Sequence, residues 1–333
     1  MLKMMPMQTA VKRAPLLRRV STCVAAVCAL MLAPAALGQE PTESPIPPSR
    51  PPSKPTPPGV TPPPPGPIGR PGDKSGDKLV RMNMTADVPR ITPGEKFLLA
   101  FAFSIDPHWH IYWENAGASG APTEIDVKAP PNFVVGKTLF PRPQIISSPE
   151  GATYGYEERV VLFVEISPPE TAMPQVTFSA EASWLVCKDI CKMGSAKATL
   201  SLPFGDTSLP GAAPIEIDPA VAVFKPRLPK DLTSVSGASV EFDGKQMTIS
   251  LPAEGRDGGE FFPNPSPGVV FGEARFELHG TSLHAVVPVT LDANNALGKP
   301  MRLAGVVGLG RSGADPCYVF DVPLADDGRP QRN

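Results

Sequence analysis

From Leu79 onward, apolar residues come in short alternating or continuous runs broken by Pro, Gly, Asn and Asp. Residues 96–103, 160–166 and 176–180 predict strands, as do 239–249, 276–278, 283–289 and 301–307. Strong breakers fall within most windows of a dozen residues, so no helix longer than two or three turns is expected. This spacing of short strands predicts an all-β chain of the sandwich type. Residues 202–236 are rich in proline and poor in strand signals, which places a boundary within them. Two units follow, 79–205 and 206–330, each large enough to bury its own core. The tail after Asp326 is expected to be loose.

The rhythm is different before Leu79. Residues 1–38 carry Lys3, Lys12, Arg13, Arg18 and Arg19 with no acidic residue, then an apolar run from Val20 to Leu32, then Ala36-Leu37-Gly38. This is the order of a secretory signal peptide cleaved near Gly38. Its apolar run falls short of the roughly 20 residues that span a bilayer, leaving an uncleaved anchor as the weaker alternative. No later segment resembles a membrane span. The mature chain is therefore expected to be exported, periplasmic or equivalent, in a compartment where disulfides persist.

Between Gln39 and Lys78 lie 15 of the chain's 45 prolines. Proline fixes φ and lacks an N–H, so 39–78 is expected to be a disordered, polyproline-rich linker. At about 3.1 Å per residue it would reach on the order of 120 Å if fully extended. Composition narrows the field further. The 333 residues carry a formal charge of −2. Without the signal, Lys plus Arg falls from 31 to 26 against 33 Asp plus Glu, a net charge of −7. No basic footprint exists, which argues against nucleic-acid binding. There is no phosphate-cradling glycine loop, no Ser-His-Asp set, and no assigned cofactor or metal site.

Three cysteines follow residue 38, and two of them carry the candidate chemistry: Trp184-Leu185-Val186-Cys187-Lys188-Asp189-Ile190-Cys191. In an extended strand, residues four apart lie about 13 Å from each other, too far to bond. On one helical turn they lie about 6 Å apart, within disulfide range. The pair is therefore expected on a helical turn or tight loop after a strand ending near Trp184. A bridge closing so short a loop stabilises by about 2 kcal/mol, against almost 5 for a 100-residue loop, so it is a weak brace. A bridge that opens and closes suits it better, and a structural disulfide or metal ligation stands as the alternative reading. Lys188 and Lys192 favour a thiolate and Asp189 opposes it.

A wider pattern surrounds the pair. Asp106-Pro107-His108-Trp109-His110-Ile111-Tyr112-Trp113-Glu114-Asn115-Ala116-Gly117-Ala118-Ser119-Gly120-Ala121-Pro122-Thr123 resembles the W-H-x-Y-W-x-N-x-G-x-S-G-x-P-T signature of the DsbD/ScsB amino-terminal domain family. Phe140-Pro141-Arg142-Pro143, then Gly155-Tyr156-Glu157, resembles its next block, and the cysteine segment its third. The resemblance implies an immunoglobulin-like periplasmic domain that passes reducing equivalents by thiol–disulfide exchange through Cys187 and Cys191. It implies thioredoxin-like envelope proteins as partners and a membrane-embedded electron donor. Trp109, His110, Tyr112, Trp113, Tyr156 and Trp184 become candidates for capping the pair. Some ScsB-type members are associated with copper tolerance. Complete family proteins continue into a multi-helix membrane domain and a thioredoxin-like domain that these 333 residues do not contain. The expected donor is thus a separate protein, unless reductase work has been lost. Lys192-Met193-Gly194 also stands where the family commonly has a proline-containing continuation.

Weaker signals have plainer readings. His108 and His110 alternate and, on a strand, would share a face, where Met193 or the cysteines could complete a soft copper site. Packing of Trp109, Tyr112 and Trp113, with hydrogen-bonded histidines, is the preferred reading. Cys317 opens an apolar strand and is expected to be buried. His279 and His284 flank a predicted turn at Gly280 on the surface.

Overall fold

The structure, a computed structural model, describes residues 75–148, 151–171, 175–205, 215–292 and 300–325. The signal segment at 1–38, the linker up to residue 74 and the tail after 325 lie outside the described residues. The last linker residues are tied down: Gly76–Leu79 form a single helical turn, α1. Asp77 there accepts the Ser195 N–H at 2.6 Å.

The first sandwich contains β1 (Val80–Ala86), β2 (Phe97–Ile105), β3 (His110–Gly117), β4 (Glu124–Lys128) and β5 (Val134–Leu139). It continues with β6 (Gln144–Ser148), β7 (Gly151–Glu157), β8 (Arg159–Ser167), β9 (Gln175–Cys187) and β10 (Cys191–Pro203). One sheet has the order β1-β2-β8-β5; the other runs β10-β9-β3-β7-β6, with β4 also pairing β9. β2 is buried on both faces, hence its unbroken apolar run. Leu99, Phe101 and Phe103 point into the core between the sheets. Ala100 and Ala102 meet Ala220 and Val221 of the short helix α2 (Pro219–Phe224) on the other side. Asp218 caps α2 by accepting the Ala220 N–H, and Pro219 opens it without losing a bond.

A second set of sheets follows. Its strands are β11 (Lys230–Asp231), β12 (Ser239–Phe242), β13 (Gln246–Pro252), β14 (Gly259–Pro263) and β15 (Val269–Phe271). β16 (Arg275–His279), β17 (Ser282–Leu291), β18 (Arg302–Leu309) and β19 (Cys317–Pro323) complete it. The orders are β11-β19-β18-β14 and β12-β13-β17-β15, with β16 on β17. The chain is all-β and immunoglobulin-like. Among the described residues no helix is long and apolar enough to cross a membrane.

The single strand expected over 239–249 is two strands, β12 and β13. Asp243 accepts the N–H groups of Lys245 and Gln246, and Gly244 takes a positive φ of 98°, which together close a tight turn.

The two sets of sheets share packed surface. Phe262, Val306 and Cys317 join the core cluster that holds Phe103, Trp113 and Trp184. Arg142 is buried there, donating to the carbonyls of Leu309 (2.8 Å) and Gly310 (2.7 Å) and to the Glu260 carboxylate (2.7 Å). Gly308 passes so close that any Cβ would strike the guanidinium, which fixes glycine at that position.

Candidate functional site

β9 alternates from Gln175 to Val186, because over that length only one of its faces is covered. Val176, Phe178, Ala180, Ala182, Trp184 and Val186 turn into the core, while Leu185 and Cys187 lie on the outer face. The strand does not stop near Trp184 but continues to Cys187. Lys188, Asp189 and Ile190 then form the loop of a hairpin, with the Lys188 N–H donating to the Ile190 carbonyl. The expected helical turn is absent; the tight-loop form of that expectation holds. Antiparallel pairing sets Cys191 directly opposite Cys187, so two residues four apart meet without any helix. Their Cα atoms are 4.1 Å apart and the sulfurs are bonded. The Cα separation fits the closer type of cross-strand pair, in which the facing residues share no backbone hydrogen bond.

The two cysteines differ in access. Cys187 is 3 % exposed. Cys191 is exposed at the start of β10. Beside it stand the apolar side chains of Ile190 and Met193, the latter 81 % exposed. Cys191 and its apolar surroundings are open to solvent, while Cys187 is held beneath the sheet surface.

Gly194 faces Trp184 across the ladder, and a Cβ there would collide with the indole nitrogen and with the backbone of Gly76. Glycine therefore lets α1 cross the edge of β10 next to the cysteine hairpin. This gives a local reason for Gly194 in the Lys192-Met193-Gly194 sequence.

β3 flanks β9 and carries most of the aromatic signature. Its register sets His110 opposite Cys187 and Ile111 opposite Val186. On its other side His110 faces Glu157 of β7. Burial holds the imidazole pKa below its ordinary value, with the Glu157 charge acting in the opposite sense. The Tyr112 hydroxyl lies 3.2 Å from His110 Nε2, and the two rings meet edge to face. Tyr112 belongs to a small buried cluster with Ala116 and Cys187, packed by Leu185.

The signature residues thus divide between the two faces of one sheet. His110 and Tyr112 share the face of the disulfide. Trp113, Tyr156 and Trp184 turn into the sandwich core. Trp113 packs edge-on against Phe262, and Trp184 against Phe103. Tyr156 donates to the Pro141 carbonyl at 2.6 Å, and burial pushes its pKa well up. Trp109 is half-buried at the turn before β3, with the Lys192 ammonium 5.7 Å from the centre of its ring. His108 lies in that turn with a φ of 69°, exposed and outside the strand, so it does not share a strand face with His110. Among the described residues no group of three or more His, Cys, Asp or Glu could hold a metal ion.

Sequence reasoning missed the loop that covers Tyr112. Gly120, at φ 104°, lies against the phenol ring so closely that a side chain would overlap it. Thr123 donates through both its hydroxyl and its N–H to the Tyr112 carbonyl. The signal was present in the Ser119-Gly120-Ala121-Pro122-Thr123 run, but a run of small residues does not show which ring it covers.

Comparison with known proteins agrees with this geometry. Residues 81–203 match the family described as thiol:disulfide interchange protein DsbD, N-terminal. The crystal structure of the N-terminal periplasmic domain of ScsB from Proteus mirabilis is similar, at 19 % identity and a TM-score of 0.51. That match covers 76 % of this chain and 96 % of that one, so the shared fold extends beyond the family match. AvmM, which catalyses macrocyclization in alchivemycin A biosynthesis, also matches at 13 % identity over 43 % of this chain and all of its own, with a TM-score of 0.22. Spo0M, a sporulation control protein from Bacillus subtilis, matches at 9 % identity over 74 % and 90 %, with a TM-score of 0.19. Neither of these last two carries a structural argument. No curated protein matches the chain. The resemblance read from the three sequence blocks is borne out: residues 81–203 match the DsbD amino-terminal family, and the fold is similar to that of the ScsB amino-terminal domain.

Proposed function

We propose that this protein relays reducing equivalents between envelope redox partners through the Cys187–Cys191 pair. The observation that carries the reading is the asymmetry of the hairpin, with a buried Cys187 bonded to an exposed Cys191. In the reductive direction the Cys191 thiolate attacks a partner's disulfide and forms a mixed disulfide. Cys187 then attacks Cys191, restoring the internal bridge and releasing the partner reduced. The partner is a thioredoxin-like protein whose own disulfide meets the apolar rim of Ile190 and Met193. The signal segment and the family likeness support export to the periplasm, with electrons supplied by a membrane-embedded donor.

The experiment is a reduction potential, measured by equilibrating the protein with dithiothreitol of known poise and counting free thiols. An exchanging pair gives a value above about −300 mV. A value well below that marks a structural staple and removes the relay.

A further inference from the structure

We propose that His110 takes the proton from Cys187 when that thiol closes the disulfide, with Tyr112 holding the imidazole in place. The inference rests on the exchange reading and adds to it the group that activates the buried sulfur.

The need for such a group follows from burial. Only a thiolate attacks a disulfide, and an apolar surrounding raises a thiol's pKa. The molecule shows the size of this effect at Cys317, whose buried thiol is pushed up to about 11. Cys187 is 3 % exposed and covered by Leu185 and Tyr112, so bulk water is poorly placed to take its proton. A protein base is the alternative.

The register supplies one. His110 is directly opposite Cys187 on the same face, where paired Cβ atoms lie about 4.5–5.5 Å apart. An imidazole reaches across that gap. Its orientation is set by a phenol that is itself fixed: Tyr112 is 2 % exposed, with Gly120 against its ring and Thr123 bonded to its carbonyl. Other groups that titrate or carry charge frame the site. Glu157 of β7 faces the imidazole. Lys192 of β10 lies over Trp109, Lys188 and Asp189 sit at the exposed hairpin tip, and Asp106 and His108 occupy the turn before β3. Burial outweighs Glu157 and keeps the ring neutral at pH 7, the form that accepts a proton.

The step balances. Cys187 Sγ–H gives its proton to His110, and Cys187 Sγ attacks Cys191 Sγ. The Cys191–partner S–S bond breaks, and its electron pair leaves on the partner's sulfur as a thiolate. The two cysteines lose two electrons and the partner's disulfide gains them. The imidazolium then returns its proton to the departing thiolate or to solvent.

The test uses the reduced full-length protein with excess oxidised glutathione, acid quenching, and mass spectrometry to separate the glutathione mixed disulfide from the closed form. The closure rate of the wild type is expected to be nearly flat from pH 7 to 8.5 and to fall as the imidazole protonates in acid. His110→Gln is expected to close about 100-fold more slowly at pH 7, the lower end for a lost general base. Its mixed disulfide accumulates, and its rate climbs about tenfold per pH unit as the thiol ionises unaided. Tyr112→Phe keeps the ring and slows closure severalfold without changing the shape of the profile. A wild-type rate that already climbs tenfold per pH unit overturns the proposal with no variant needed. A His110→Gln rate within twofold of wild type also overturns it. If the wild type forms neither a mixed disulfide nor the closed bridge, the exchange reading itself fails; if both form without regard to His110, only the proton role fails.

Discussion

The hairpin at Cys187–Cys191 and the junction around Cys317 bury sulfur to opposite ends. At the junction, Cys317 starts β19 inside a shared core, 3 % exposed, with its Sγ donating to the Arg227 carbonyl. Burial pushes its thiol up to about 11, against the nearby positive charge of Arg142, and leaves it inert. At the hairpin, Cys187 is equally buried, yet its bonded neighbour emerges at a strand end among exposed apolar side chains. Burial alone therefore does not decide reactivity. On the proposed reading, access to one sulfur of a pair, and a polar neighbour for the other, separate an exchanging cysteine from a packed one.

The largest effect that sharpens this contrast concerns Arg142. Replacing it with alanine leaves Glu260 and the carbonyls of Leu309 and Gly310 without their donor. Removing one partner of a buried charge pair typically destabilises by about 3 kcal/mol or more. Urea unfolding of Arg142→Ala should show that loss, while the reduction potential stays at the wild-type value. A shifted potential would mean that the junction and the hairpin are one device, not two.

The next effect is a pH dependence. The Cys317 pKa is raised in the folded protein, from 9.0 to about 11, so the native state holds its proton where the unfolded chain releases it. The stability this provides is complete below pH 9 and declines as pH rises toward 11, by about 2–3 kcal/mol. Buried Tyr156, also raised, contributes in the same direction at higher pH. Cys317→Ala should flatten the decline between pH 9 and 11 in denaturant titrations. An unchanged slope would show that this thiol is not held neutral by the fold.

The smallest effect belongs to the bridge itself. Closing so short a loop stabilises by about 2 kcal/mol. Reduction should therefore lower the unfolding free energy by about that amount and leave the fold intact. A fully unfolded reduced form would recast the pair as a structural staple.

Much of this contrast was legible in the sequence. The all-β class, most central strands and the burial of Cys317 follow from apolar runs and breakers. The cysteine pair stood out by its spacing, and the three signature blocks identified its type. β10 is one of the strands that escaped prediction. β10 carries Lys192, Ser195, Lys197, Thr199 and Ser201 beside small or intermediate inner residues, so its one covered face has little apolar weight. Of the helical turn or tight loop expected at 187–191, the helical form failed because spacing along one segment cannot reveal a partner strand. A hairpin brings residues four apart together just as well. The division of the aromatic signature was hidden for a related reason. Trp113 and Tyr112 are neighbours in sequence but look to opposite sides of a sheet, and only the register with β9 shows which side holds sulfur.

The most direct measurement of the central claim is mixed-disulfide trapping in the exporting cell, comparing Cys187→Ala with Cys191→Ala. The account predicts that Cys187→Ala, which keeps the exposed thiol, accumulates a covalent complex with a thioredoxin-like protein that reductant dissolves, and that Cys191→Ala accumulates none. Equal trapping by both variants, or by neither, would contradict it.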